Sequence, residues 1–73
     1  MSKAQRILSS VSEESKGLLE GLFTQLTEAD LTVSSEGFSV KIDGIGKKPF
    51  GFDDDSVRNC VQVYSAASAV HHF

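Results

Sequence analysis

The strongest constraint on this chain is a change in the spacing of its apolar residues, from helical to strand-like and back, within 73 residues. Val11, Leu18, Leu19, Leu22, Phe23 and Leu26 recur at three- and four-residue steps, the period of a helix buried along one face. Phe38, Val40 and Ile42 then alternate strictly with Ser39, Lys41 and Asp43, which sets them on one side of a strand. From Val57 onward the helical spacing returns. A chain this short makes at most one domain, so all three periods must share one core.

Local signals mark where each element starts and stops. Ser10-Val11-Ser12-Glu13 has the capping-box spacing, in which a serine and a glutamate satisfy each other's free amides. It predicts a helix over 11–28, with Glu13 and Glu14 in the first turn where the helix dipole favours negative charge. Residues 1–9 are expected as a short arm, or as an extension of that helix back to Ala4, and 10–73 as a single compact domain. Gly17 and Gly21, four apart, predict a close backbone approach on one helix face. Leu31-Thr32-Val33 reads as a first strand, and Gly37 in the turn after it is available for positive φ. Asp43-Gly44 with Gly46 is a strong hairpin signal. Phe50 and Phe52 belong to a third strand, which Pro49 confines to a sheet edge because it has no amide to donate.

Asp53-Asp54-Asp55-Ser56 offers several N-cap residues for a last helix over 55–71. Val57, Val61 and Val63 lower helix propensity there, so a strand at 60–64 is the competing reading. The expected class is α+β, a helix, a three-stranded antiparallel meander and a helix (α-β-β-β-α), in two layers with both helices on one sheet face. Leu18, Leu22, Phe23, Leu26, Val33, Phe38, Val40, Ile42, Phe50, Val57, Val61 and Tyr64 are the expected core.

A core of this size supplies only about 3–5 kcal/mol without a staple. The lone Cys60 forms no internal disulfide, and Cys60, His71 and His72 lack the spacing of a zinc site, so neither a metal nor a cofactor is expected. A single cysteine, the interruption of Ile7-Leu8 by Ser9-Ser10 and the absence of an apolar run of about 20 residues point to a cytoplasmic protein with no membrane partner. The net charge of −3 argues against a general nucleic-acid binder. No serine has a histidine base and orienter near it in sequence, so no catalytic residue is assigned and an enzyme is not expected.

Three constellations remain. In Gly44–Phe52 the pair Lys47-Lys48 beside Phe50 could hold phosphate while the ring stacks on a base. It lacks the spacing of a nucleotide-hydrolysing loop, and a solvated hairpin tip with core phenylalanines explains it as well. The Asp53–Asp55 run lacks the ligand spacing of a calcium loop and suits helix capping or an acidic rim. Glu13, Glu14, Glu20, Glu28 and Asp30 would have to share a face for an acidic mimic of DNA. The α-β-β-β-α order resembles double-stranded RNA-binding domains, with Gly44-Ile45-Gly46-Lys47-Lys48 in the place of their basic loop. The chain departs from that family at Asp53–Asp55, where the family has lysines that touch phosphate.

The last helix is apolar nearly all round and carries no formal charge from Asn59 to Val70. A helix apolar on more than one face is normally covered on more than one face. The leading expectation is therefore a small non-enzymatic interaction protein, an inhibitor or regulator of the bacterial or phage kind. Val63, Ala66, Ala67, Val70 and Phe73 would form its contact face, with Asp53, Asp54 and Asp55 at the rim. The partner would be a larger protein or protein complex, or a second copy in a homodimer. Nucleotide or nucleic-acid binding through Lys47, Lys48 and Phe50 ranks second, and the acidic DNA mimic third.

Overall fold

The computed structural model describes residues 1–71. Three helices, α1 (Lys3–Leu8), α2 (Glu13–Phe23) and α3 (Asp54–His71), accompany three strands, β1 (Leu31–Val33), β2 (Gly37–Ile42) and β3 (Gly46–Gly51), with a 3-10 turn at Glu28–Asp30. The strands form an antiparallel meander in the order β1-β2-β3, so Pro49 lies on an edge strand as its missing amide requires. The whole is an α+β globule, and residues 60–64 are helical.

The expected long first helix is two helices. Ser9 Oγ donates to Gln5 O at 2.8 Å and Ser10 Oγ to Arg6 O at 2.9 Å, so the serines close the last turn of α1 instead of continuing it. Ser12, not Ser10, is the N-cap of α2: its backbone is extended and its Oγ accepts from Ser15 N at 3.2 Å. The helix stops at Phe23, short of the expected 28, where Thr24 Oγ1 donates to Gly21 O at 2.8 Å. Residues 1–9 are tied down from a distance. Glu28 Oε1 accepts from Lys3 N at 2.6 Å, and Lys3 Nζ donates to Leu31 O at 3.0 Å. A carboxylate on the free amides of a helix start is favoured by the dipole.

The core gathers Ile7, Leu19, Leu22, Leu31, Phe38, Val40, Ile42, Phe50, Val57 and Cys60. Register explains the sheet's share: Leu31 faces Val40, and Phe38 faces Phe50, so alternate residues of neighbouring strands meet on one side. Leu18 departs from the expected core at 39% exposed, while Leu19 is fully buried. The inward stripe of α2 is Ser15, Leu19 and Leu22, and one of those three is polar. Phe23, Leu26, Val33, Val61 and Tyr64, also expected inside, are half-buried against the core.

Two glycine expectations are overturned. Gly37 does not have positive φ; only Gly44 (φ 80) and Gly46 (φ 93) do, in the hairpin turn that Ile45 N closes on Ile42 O at 3.0 Å. Gly37 is required because a Cβ there would sit 2.2 Å from Phe50 O. At Gly17 and Gly21 a Cβ would meet nothing within 4 Å, so that face of α2 is open and not closely packed. Gly37→Ala should therefore cost about 1–3 kcal/mol by forcing the β2–β3 backbones apart. Gly17→Ala should instead stabilise by up to about 1 kcal/mol through helix propensity. Thermal melts read both, at about 4–8 °C per kcal/mol for a domain of this size.

Candidate interaction surface

The three aspartates that open α3, expected at a contact rim, each have a structural role in the fold and lie at its surface. Asp53 is the cap: its Oδ2 accepts from Ser56 N at 3.1 Å and its Oδ1 from Ser56 Oγ at 2.7 Å. Asp54 reaches across to α2, where its Oδ1 accepts from Ser12 Oγ at 2.5 Å and from the buried Ser15 Oγ at 2.6 Å. Asp55 bonds Arg58, whose other guanidinium nitrogen lies 3.6 Å from Glu14. Hydrogen bonds from the Ser56 side chain and backbone hold the Asp53 carboxyl below its usual range, and those from Ser12 and Ser15 do the same for Asp54.

These contacts set the direction of the helices. Asp54 and Arg58, in the first turns of α3, meet Ser12, Glu14 and Ser15, in the first turn of α2, so the two helices start together and run in the same sense. With 11 residues in α2 and 18 in α3, α3 continues about two turns, roughly 10 Å, after α2 has ended. Burial follows this mismatch. Val57 and Cys60 are fully buried, but from Val61 to Val70 no side chain is.

The expected contact residues divide along this overhang. Val63 and Ala67 are half-buried against the core, Ala66 is exposed, and Val70 is 70% exposed. Phe73 lies outside the described residues. Beside them is a groove that sequence reasoning missed, about 650 Å³ between Leu18 and Gly21 of α2, Gln25 just after it, and Tyr64, Ser65 and Ser68 of α3. Its only trace in the sequence is Gly21 of the Gly17/Gly21 spacing, which predicts close packing where the structure is open. None of the residues that line the groove carries a formal charge.

The hairpin constellation does not assemble. Phe50 is 7% exposed and packs on Phe38 with ring centroids 5.9 Å apart, so it offers no free face for a base. Lys48 sits over that ring at 5.9 Å, whereas Lys47 projects from the other side of β3 and donates to Thr32 Oγ1 at 2.8 Å. Lysines and a proline on an edge strand discourage pairing with another strand, and Lys47, Lys48 and Pro49 suit that role. The acidic set is dispersed as well. Glu28 caps α1, and Asp30 Oδ2 accepts from Thr27 N at 3.0 Å, while Glu13 and Glu14 stand at the start of α2. Among the described residues there is no group of three or more His, Cys, Asp or Glu placed to hold a metal, and no helix long and apolar enough to cross a membrane.

Comparison of the chain with protein-family models, with curated proteins and with solved structures gives no match in any of the three.

Two consequences can be measured. A carboxyl whose folded pKa lies below its unfolded value of 3.8 stabilises the fold fully above that value. As pH falls from there through the folded value, the unfolded chain takes up the proton first and the contribution is lost. Asp54→Asn should therefore be less stable than the parent at neutral pH, and acid titrations of the two should converge below pH 3.8. Burial pushes the Cys60 thiol up to about 12, so it should resist a thiol reagent at neutral pH until denaturant exposes it.

Proposed function

We propose that this chain is a non-enzymatic interaction module that docks on a macromolecular partner through the overhanging end of α3 and the groove beside it. The observation that carries this is the helix mismatch: α3 outruns α2 by about two turns, and its last turns hold Val70 70% exposed in a stretch with no formal charge. Exposed apolar surface of this kind gains about 25 cal/mol per Å² when a partner covers it. Support for binding over catalysis comes from the chemistry-bearing groups. The three aspartates of the α3 start are held in capping and inter-helix bonds, and the Cys60 thiol is buried and kept protonated. A module this small that works by occupying a surface fits an inhibitor or regulator acting in the cytoplasm on a larger protein or complex.

Val70→Asp separates this reading from a role for the sheet. Val70 is mostly exposed, so the variant should keep the parent's circular dichroism and melting temperature. Recovery of the partner from extract of the source cells should drop about tenfold or more, the loss expected for one buried aliphatic contact replaced by a charge. Thr32→Glu, on the sheet side turned away from the core, should leave recovery unchanged. Recovery that survives Val70→Asp and is lost with Thr32→Glu overturns the assignment.

A further inference from the structure

Outside the docking surface, we infer that the hairpin tip is a modification site: the Asp43–Gly44 link rearranges spontaneously to isoaspartate, in which the main chain runs through the aspartate side chain. Sequence and fold converge on this one link. Of the five aspartates, only Asp43 is followed by a glycine. A glycine leaves its amide nitrogen open to approach a carboxyl carbon, because no side chain shields it. Asp43 is exposed at the tip, just after β2 ends at Ile42. Among the described residues its carboxylate accepts no hydrogen bond and forms no salt bridge, and the Gly44 amide has no protein acceptor. The attacking nitrogen and the carboxyl carbon are adjacent and both unengaged.

The other four aspartates are held away from this reaction. Asp30 accepts from Thr27, and the amide that follows it, Leu31 N, donates to Glu28 O. Asp53 accepts from Ser56, Asp54 from Ser12 and Ser15, and Asp55 from Arg58. The Ser56 amide, next after Asp55, is itself bonded to Asp53. At the tip the chemistry needs water alone. The Gly44 nitrogen bonds to Cγ of the neutral Asp43 carboxyl, the C–OH bond breaks, and the amide proton and the hydroxyl leave together as water. Water then opens the cyclic imide. Breaking the bond from nitrogen to Cγ restores aspartate. Breaking the bond from nitrogen to the main-chain carbonyl carbon leaves isoaspartate with a free α-carboxylate. The link between β2 and β3 is then longer by a methylene, at the turn that sets the pairing of Ile42 with Gly46.

To test this, the full chain is incubated in mildly acidic buffer beside a synthetic peptide of residues 41–48, until the free peptide has isomerised. Trypsin then releases Asp43 within residues 42–47, apart from the other four aspartates. Isoaspartyl carboxyl methyltransferase with labelled S-adenosylmethionine marks the free α-carboxylate. Label should accumulate in the 42–47 peptide with time and be absent from the peptides that carry Asp30 and Asp53–Asp55. Asp43→Ser has no carboxyl to close on Gly44, so it should lose the label while keeping the parent's circular dichroism. A folded chain left unlabelled at 42–47 while the free peptide reacts overturns the site. Label spread over the other aspartates does so as well.

Discussion

The bond that organises this molecule is the carboxylate of Asp54 accepting two serine hydroxyls, Ser12 and Ser15, from the facing helix. It joins residues about forty positions apart and satisfies Ser15, the one buried polar side chain of the described core. A buried hydroxyl without a partner costs roughly 1–3 kcal/mol, so the pairing leaves little choice in how α2 and α3 align. They must start together. Parallel helices place their positive dipole ends side by side, and the acidic residues crowding both first turns offset that arrangement.

From this constraint the exposed surface follows. A helix pair clamped at its starts, with 11 residues in one member and 18 in the other, can match only over the shorter length. The remaining turns of α3 lack an α2 beside them, and beyond Cys60 no described side chain up to Val70 is fully buried. The sheet contributes in the opposite sense. Its inward side is filled by Leu31, Phe38, Val40, Ile42 and Phe50, and its outward side carries Thr32, Ser39, Lys41, Lys47 and Pro49. Of the exposed large apolar side chains, Leu18 and Val70 lie on helices, Ile45 at the hairpin tip and Met1 ahead of α1, while Lys47, Lys48 and Pro49 defend the edge of β3.

Periodic features were legible in the residues alone. The strict alternation of Phe38, Val40 and Ile42, the Asp43-Gly44 turn and Pro49 on an edge strand all carry over unchanged, because each depends on neighbours a few residues away. Features that depend on distant partners were misread. Leu18 and Leu19 are indistinguishable by hydrophobicity, and what turns Leu19 inward is the register set by Ser15 beneath Asp54. Gly37 reads as a positive-φ residue from its turn setting, yet its lack of a side chain serves the passage of Phe50 O, thirteen positions on. The spacing of Gly17 and Gly21 reads as a tight contact, yet both positions are open and Gly21 lines a groove. Lys47, Lys48 and Phe50 looked like one constellation because they are adjacent in sequence, but a strand sends adjacent residues to opposite sides.

Spacing and turn chemistry act over a few residues, so the α-β-β-β-α order and the uncharged character of the last helix can be read from the amino-acid string. Which side of each helix is buried, and how far α3 projects, cannot. Those depend on a carboxylate meeting two hydroxyls about forty residues away, a contact that exists only once the chain has folded and that fixes where one helix stops covering the other.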